Sequence, residues 1–489
     1  MFALYTDTPQ FFSDLCDEVR LFENVKRIEK VGVDELPDGK VLRHFFLCSG
    51  STWESSCQYY EDGTKITEYI DWADVPEAKD ALTIKKLQKR LVKKTIYGLM
   101  KSLAGRRPPW GSLTGIRPTK LFRELAQQSG VETAQCMFRD EFDVSDEKTA
   151  LAKRIVENQK MVMDSVADHD IDIYIGIPFC ASRCKYCSFI SRDIGRVQSM
   201  KRDYMEKLLL EISAAKEIVK DYTVRAVYIG GGTPTSLDAS ELKRLLYTIN
   251  TAFGEVEEFT VEAGRPDTVT TENLQMIKDA GATRISVNTQ TLKQHTLDLI
   301  GRKHSVQDFL DAFALARNLG FDNINTDIIL GLPEEGPEDV QATLEGVCEL
   351  APENVTVHTL AIKNSSEFAL EQKDSMKDAK LVESMVEQAE AFLIGEGYEP
   401  YYLYRQKYMS GNLENTGYAK NGAICRYNID NMEELTSILA LGAGGISKRI
   451  FDSEKRIERA ANVKDIEHYI QRTDEMIMRK KELFAEISL

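Results

Sequence analysis

The chain has 489 residues, a formal net charge of −16 at pH 7 and 43% hydrophobic residues, and this length and composition predict about three globular domains with cores of normal size. The acidic balance argues against a dedicated nucleic-acid-binding protein, because such proteins are normally basic. The first twenty residues contain no signal-peptide pattern, and no apolar run approaches the roughly 18 to 20 residues that span a bilayer. We therefore expect a cytoplasmic protein without a membrane span.

Residues 1–165 are predicted to form an α+β domain. A strand is expected at 40–49, a hairpin at 55–71 and a long basic helix at 81–105. The basic face of this helix could attract an anionic partner, although a solvated face is the simpler interpretation. Segment 106–122 carries too many turn formers for a regular element. It is interpreted as a rigid connector or, through its tryptophan and arginines, as a contact for an anionic aromatic ligand.

Residues 166–364 show a regular alternation of short β-branched runs and amphipathic helical stretches. The predicted strands are 171–177, 225–230, 257–263, 284–288, 323–330 and 354–361. The predicted helices lie near 198–220, 239–253, 271–280, 292–300, 305–319 and 337–350. Six such βα units indicate a parallel sheet that closes into a partial (β/α)6 barrel, with ligands expected beyond the carboxyl ends of its strands.

Residues 365–489 are predicted to form a helix-rich third region. A tyrosine-dense stretch at 397–422 is interpreted as a turn region, and it is followed by the glycine-rich segment 441–448. The overall fold class is therefore α/β, with a partial barrel between an α+β domain and a helix-rich region.

Three of the nine cysteines, Cys180, Cys184 and Cys187, crowd into the loop that follows the first predicted barrel strand. Thiolates are the ligands of iron–sulfur clusters, and three of them leave one iron of a cubane open for a ligand. A structural zinc site needs four ligands, and no second pair with suitable spacing exists. A redox pair would use Cys184 and Cys187 but leave Cys180 idle. The spacing favours the cluster.

Polar residues recur at the same end of the following predicted strands. The segment "GGGTPT" at 230–235 would let a ligand lie against backbone groups. A ring of carboxylate, amide and guanidinium groups at buried strand ends predicts a polar ligand. The ring comprises Glu262, Asn288, Gln290, Arg302 and Asp327.

These motifs resemble the radical S-adenosylmethionine enzymes. "CASRCKYC", "GGGTPT", "IGRKH" and "DIILGLP" together resemble the oxygen-independent coproporphyrinogen III oxidase/dehydrogenase family, with a match from about 174 to 333. The segment "PPWGSLTGIRPTK" and the missing fourth cysteine resemble the HemZ-type branch of that family. The resemblance implies a radical enzyme of anaerobic haem biosynthesis that oxidatively decarboxylates propionate side chains of coproporphyrinogen III to vinyl groups, giving protoporphyrinogen IX.

The resemblance also implies roles for individual residues. The three cysteines would hold a [4Fe–4S] cluster, and S-adenosylmethionine would chelate its open iron. The implied cofactor-binding residues are Tyr174, Phe179, Tyr186, Gly231, Gly232, Thr233, Glu262, Gln290, Arg302 and Asp327. Within this set, Gly231 and Gly232 would receive the methionine amino group, Arg302 its carboxylate, and Phe179 with Tyr186 would pack against cluster and adenine. Residues chosen by type alone as tetrapyrrole contacts are Arg106, Arg107, Arg117, Lys120, Tyr402 and Arg405.

The sequence departs from the family pattern at two positions, with Gly176 in place of a histidine and Phe189 in place of a fourth cysteine. Three functions therefore stay open: coproporphyrinogen III dehydrogenase, a haem-binding chaperone or carrier, and a radical methyltransferase or ring-opening enzyme acting on haem. The expected partners are a tetrapyrrole substrate and a reduced flavodoxin or ferredoxin-type electron donor. We expect a monomer that binds no nucleic acid.

Overall fold

The computed structural model describes every residue except 24, 26, 78–79, 190, 362–365, 367, 369–377, 407–409, 452–455 and 486–489. The chain divides into two units, one of residues 1–118 with 122–153 and one of residues 119–121 with 154–489. The finer division of the sequence at 165 and 364 stays a prediction.

The first unit contains a five-stranded sheet with the order β2-β1-β3-β4-β5. The strands are β1 Phe2–Thr6, β2 Glu29–Lys30, β3 Lys40–Ser49, β4 Thr52–Glu61 and β5 Thr64–Asp74. The helices of this part of the chain are α1 Phe12–Val19, α2 Ala81–Ala104, α3 Pro118–Ser129, α4 Val131–Cys136 and α5 Asp146–Asp164. The predicted strand, hairpin and basic helix are all present. The last of these ends at Gly105, whose φ of 60° is in the left-handed region that glycine tolerates.

The second unit is built on an eleven-stranded sheet with the order β14-β15-β13-β12-β11-β10-β9-β6-β16-β17-β18. Its strands, with the short pair β7 and β8, are β6 Asp170–Ile177, β7 Phe179–Cys180, β8 Arg192–Asp193, β9 Thr223–Gly231, β10 Glu258–Gly264, β11 Arg284–Val287, β12 Ile324–Leu330, β13 Asn354–Thr359, β14 Glu399–Tyr404, β15 Asn415–Ala419, β16 Ser437–Leu441, β17 Ile446–Phe451 and β18 Arg456–Ala461. The helices are α6 Gln198–Ile218, α7 Ala239–Phe253, α8 Thr271–Asp279, α9 Gln294–Leu299, α10 Val306–Asn318, α11 Pro337–Glu349, α12 Ala379–Gly395, α13 Arg426–Glu433 and α14 Ile466–Phe484.

All six predicted barrel strands are confirmed as the parallel neighbours β6, β9, β10, β11, β12 and β13. Side chains of β6, β9, β10 and β11 form one large apolar core with the surrounding helices. Side chains of β12 and β13 pack with α11 and α12 in a second core. The α/β partial barrel predicted from the alternating pattern is therefore present, and the carboxyl ends of its strands lie along one edge.

The C-terminal part of the chain adds strands to both sides of this barrel sheet. Next to β13, β15 and β14 pair antiparallel, and next to β6, β16 pairs parallel. The prediction of a turn region for the tyrosine-dense stretch is therefore wrong over β14 and β15, where the chain forms strands. Tyrosine favours strands, and pairing with β13 outweighs the local turn formers. Among the described residues, no helix is both long and apolar enough to cross a bilayer.

A buried polar network ties β6 to the helices behind it. The Lys480 ammonium group lies 2.6 Å from a carboxylate oxygen of Glu211, and each side chain is 1% exposed. The other Glu211 oxygen accepts from the Gly442 amide at 2.7 Å. Gly442 has a φ of 91°, and a Cβ there would lie 2.6 Å from the Gly176 carbonyl oxygen. The glycine-rich segment therefore packs closely on the strand that leads into the cysteine loop.

Candidate active site

The three-cysteine loop is held closed at its base. Residues of β7 pair in parallel with β8, so the chain leaves Cys180 and returns beside it. Within the loop, the Cys187 amide donates to the Cys184 carbonyl at 3.0 Å, and the Lys185 amide donates to the Ile300 carbonyl at 3.0 Å. These backbone bonds fix the loop against the segment after β11 and orient all three thiols toward one cavity.

The donor set fits a polynuclear cluster better than a single ion. Burial raises the pKa of Cys180 to about 11, and the neighbouring Cys184 and Cys187 raise it as well. The three thiols are thus close enough to interact. In the described ranges, no three His, Cys, Asp or Glu side chains converge tightly enough to hold one metal ion. A cubane is larger than one ion, and its positive irons stabilise thiolates that burial alone would keep protonated.

Two side chains from the barrel reach the thiols. The Arg265 guanidinium, just after β10, donates to the Cys184 sulfur at 3.7 Å and to the Ser182 carbonyl at 3.0 Å. Its Nε and Nη2 form a bidentate ion pair with the two carboxylate oxygens of Asp267, at 2.9 and 2.7 Å. The Thr233 hydroxyl donates to the Cys180 sulfur at 3.6 Å. The loop therefore has hydrogen-bond donors, one of them cationic, directed at two of its three sulfurs.

The glycine run after β9 passes against the cysteine strand too closely for a side chain. A Cβ on Gly232 would lie 2.4 Å from the Phe179 carbonyl oxygen, and Gly231 has a φ of 106°. The Gly232 amide donates to the Ile177 carbonyl at 2.7 Å. Glycine is needed here to bring this backbone to the cavity wall beside the thiols.

Glu262, at the end of β10, faces the cavity next to this glycine run. The Tyr228 hydroxyl donates to Glu262 Oε1 at 2.6 Å. Burial raises the pKa of Glu262 to about 7, while the tyrosine hydrogen bond acts in the opposite direction. The carboxyl group can therefore change its charge near neutral pH, and it can accept from a ligand hydroxyl when ionised.

A second carboxylate, Asp327, is held in a fixed orientation by its neighbours. The Asn288 side chain donates to its Oδ2 at 2.8 Å, the Asn325 side chain donates to its Oδ1 at 2.8 Å, and His358 Nε2 lies 3.7 Å from Oδ2. Burial opposes ionisation, but the interaction with His358 and the amide bonds hold the pKa of Asp327 below its usual range. The Tyr404 hydroxyl lies 3.3 Å from His358 Nδ1. This wall therefore presents an ionised carboxylate at neutral pH.

Two buried side-chain atoms of the ring have no hydrogen-bond partner in the described chain. Arg302 donates to the Tyr186 hydroxyl at 3.2 Å and to the Asn288 carbonyl at 2.9 Å, yet its Nε has no partner there. The Gln290 side-chain oxygen, at a residue with a φ of 75°, likewise has none. Buried polar groups without partners are costly. A polar ligand that carries an anionic acceptor and hydrogen-bond donors fits these two atoms.

One cavity of about 450 Å³ joins the thiols to this ring. The predicted site residues that line it are Tyr174, Cys180, Cys184, Tyr186, Cys187, Gly231, Gly232, Thr233, Glu262, Gln290, Arg302 and Asp327. Phe179 is the exception. Its ring is fully buried in the core, edge-on to Tyr204 at 5.3 Å. Successive strand residues face opposite sides, so the cavity-facing Cys180 directs Phe179 away from any cofactor.

Of the tetrapyrrole contacts chosen by residue type, Tyr402 lines the described cavity. The cationic ones contact other parts of the chain: Arg106 donates to the Leu21 carbonyl, Arg107 pairs with Asp143, Lys120 pairs with Glu434, and Arg405 donates to the Asn412 carbonyl. Trp110, in the segment before α3, is 1% exposed. These placements favour a structural role for segment 106–122.

Several cavity residues were not predicted: Tyr228, Arg265, Arg284, His358, Tyr404 and Tyr427. Arg265 directly follows a strand, which is the signal that identified the other ring residues. Tyr228 and Tyr427 stack with centroids 4.6 Å apart. Since α13 carries Tyr427 and lies far along the sequence from β9, no local pattern could have paired them.

Comparisons with known proteins identify the family of the chain. A family model described as the Radical SAM superfamily matches residues 174–347. The oxygen-independent coproporphyrinogen-III oxidase-like protein HemZ of Bacillus subtilis (strain 168) is 38% identical over 442 residues, which cover 87% of each chain. The heme chaperone HemW of the same organism is 35% identical over 199 residues, which cover 40% of this chain and 52% of that protein.

Among solved structures, coproporphyrinogen III oxidase HemN from Escherichia coli matches with a TM-score of 0.52 at 21% identity, over 66% of this chain and 73% of that one. This match concerns the fold. The chain belongs to the radical SAM superfamily, within the family of HemN- and HemZ-like proteins. Membership implies use of a [4Fe–4S] cluster and S-adenosylmethionine.

Proposed function

We propose that the chain is a radical enzyme that oxidatively decarboxylates propionate side chains of coproporphyrinogen III to vinyl groups. The observation that carries the proposal is the single cavity that joins three thiols, a cationic hydrogen bond to one of them, and a complete ring of polar groups. The unpaired buried atoms of Arg302 and Gln290 beside the cluster loop favour a site that binds and uses a polar cofactor over one that only stores a cluster.

In this proposal the protein binds and orients, and the bound cofactors supply a 5′-deoxyadenosyl radical. Cys180, Cys184 and Cys187 would hold the cluster. Arg302 would bind the methionine carboxylate, since its Nε lacks a partner among the described residues. Glu262 and Asp327 would accept from the ribose hydroxyls, and they accept more strongly when ionised.

The remaining cavity walls would enclose the substrate. Tyr228, Tyr402 and Tyr427 line the cavity with aromatic rings, which suit contact with pyrrole rings. A propionate that becomes a vinyl group would give one hydrogen atom to the 5′-deoxyadenosyl radical, release carbon dioxide and pass one further electron to a one-electron acceptor, such as the oxidised form of a flavodoxin or ferredoxin-type protein. Enclosure excludes water and protects a reactive substrate radical from side reactions. A reduced flavodoxin or ferredoxin-type protein is the proposed electron donor.

A second candidate is a haem-binding chaperone. The observation that favours it is the 35% identity of part of the chain to a protein named as a heme chaperone. Both candidates use a tetrapyrrole, so the reaction itself must separate them.

The test uses the full chain with its cluster reconstituted anaerobically. Dithionite, S-adenosylmethionine and coproporphyrinogen III are added, and 5′-deoxyadenosine and vinyl porphyrins are quantified by liquid chromatography with mass spectrometry. We expect both products in wild type and neither in C184A, whose visible cluster absorbance should be lost. A matched control, C348A, removes a cysteine outside the cavity and should leave both products unchanged.

Haem binding without any deoxyadenosine would overturn the enzyme proposal in favour of the chaperone. Deoxyadenosine without vinyl product would retain the radical chemistry and replace the substrate, with methylation or ring opening of haem tested next.

A further inference from the structure

The cavity extends beyond the polar ring toward the amino ends of the barrel strands. In the sheet register, Tyr228 on β9 is opposite Thr260 on β10, and Thr260 is opposite Arg284 on β11. All three line the cavity. Glu262 and Ser286 form the next layer, two residues further along their strands. At about 3.3 Å per residue, Arg284 lies roughly 7 Å deeper than the Glu262 layer.

Arg284 is an unusual residue for such a position. Its side chain is 2% exposed, and its Nη2 donates to the Ala423 carbonyl at 2.9 Å. Its Nε and Nη1 have no hydrogen-bond partner in the described part of the chain. The hydroxyl of the neighbouring Thr260, also 2% exposed, has none either. Unpaired hydrogen-bond donors on two neighbouring side chains at one cavity floor indicate a ligand that accepts from both.

The Glu258 carboxylate, which interacts electrostatically with this arginine, does not form an ion pair with it. Burial acts to lower the pKa of Arg284, whereas Cys425 and then Glu258 raise it. The Glu258 oxygens accept from the Arg426 amide at 2.8 Å, the Tyr427 amide at 3.0 Å and the Cys425 thiol at 3.3 Å. Glu258 therefore accepts hydrogen bonds from the residues at the start of α13. No ion pair to Arg284 is formed by the residues that the structure describes.

We propose that Arg284 and Thr260 form a carboxylate-binding subsite at the cavity floor, which receives one propionate of the tetrapyrrole. The identity of the carboxylate rests on the proposed function. A carboxylate accepts charge-assisted hydrogen bonds from the guanidinium and a further bond from the Thr260 hydroxyl. A short aliphatic arm bridges the depth between the polar ring and the floor. The reacting propionate would then be a different one, nearer the three-cysteine loop.

The experiment measures binding of coproporphyrin III, the stable oxidised form of the proposed substrate, to the full chain by fluorescence titration. R284M keeps much of the side-chain volume and removes the charge, and we expect it to weaken binding about ten- to hundredfold. T260V removes one hydroxyl that has no partner in the described chain, and we expect a loss of about three- to tenfold. Coproporphyrin III tetramethyl ester, which lacks the charge, should bind equally to all three proteins.

Circular dichroism and thermal melting check that each variant folds. A folded R284M with wild-type affinity, or an equal loss for the tetramethyl ester, overturns the subsite. Where R284M does not fold, T260V decides, and wild-type affinity in that variant overturns the subsite as well. Deoxyadenosine without vinyl product in the loaded wild-type enzyme would instead count against the proposed function, because the titration needs no turnover.

Discussion

Replacing Arg265 with glutamine should make the cluster harder to reduce. The Arg265 guanidinium lies 3.7 Å from the Cys184 sulfur, and a positive charge there stabilises the reduced, more negative state. A unit charge about 4 Å away contributes about 4 kcal/mol at an effective dielectric constant near 20. The added electron is shared beyond one sulfur, and Asp267 offsets part of the charge. We therefore expect about half of that energy, which corresponds to a potential about 90 mV more negative in a one-electron couple.

The assay is a redox titration of the reconstituted full chain, monitored by the electron paramagnetic resonance signal of the reduced cluster. R265K is expected to keep most of the potential because it keeps the charge. R183Q is the matched control, since Arg183 is an exposed arginine of the same loop and donates to the Cys187 carbonyl at 3.4 Å. Solvent screening should limit its shift to about 30 mV. An R265Q potential within that control range would refute the electrostatic reasoning.

Three further predictions concern the cavity and its support. Burial raises the pKa of Glu262 to about 7, so the affinity for S-adenosylmethionine, measured by calorimetry, should rise with pH through 7. Y228F removes a hydrogen bond that lowers this pKa, and it should move the midpoint of the rise to higher pH. An affinity that does not depend on pH contradicts this prediction. In G232A the new Cβ would lie 2.4 Å from a carbonyl oxygen, so cluster content and cofactor binding should fall together, and normal values for both contradict it. K480M leaves the buried Glu211 carboxylate without its ion-pair partner. It should lower the free energy of unfolding by about 3 to 5 kcal/mol in urea titrations. The control R244A removes one member of an exposed ion pair and should change the free energy of unfolding by under about 1 kcal/mol.

The barrel could be predicted from the sequence because its strands are short, β-branched and buried on both faces. That pattern is local, and it located β6 and the five following parallel strands. The strands β14 and β15 could not be found in this way. Their stretch contains proline, glycine and asparagine beside tyrosine, and its strand character comes from pairing with β13, which is a long-range interaction.

The rim of the candidate site was predictable for a similar reason, since polar residues at buried strand ends are rare without a ligand. The same rule does not predict the residues of the cavity floor, because they lie near the amino ends of their strands. Arg284 is the first residue of β11, at the opposite end of the strand from the polar ring. Its place in the cavity emerges only from the folded sheet, where it lines the cavity opposite Thr260. The position of Phe179, by contrast, follows from strand alternation once Cys180 is known to face the cavity.

The cavity lining also bears on which tetrapyrrole it would hold. A haem carrier needs an axial ligand for iron, commonly a histidine or cysteine. Within the described lining outside the cysteine loop, these types are represented by His358 and Cys425. The two His358 nitrogens lie 3.3 Å from the Tyr404 hydroxyl and 3.7 Å from Asp327, and the Cys425 thiol donates to Glu258. Iron binding at either residue would break contacts that orient the cavity wall. A metal-free tetrapyrrole, held by its carboxylates and ring faces, would leave those contacts intact, so ligation of iron by His358 or Cys425 is disfavoured in this cavity.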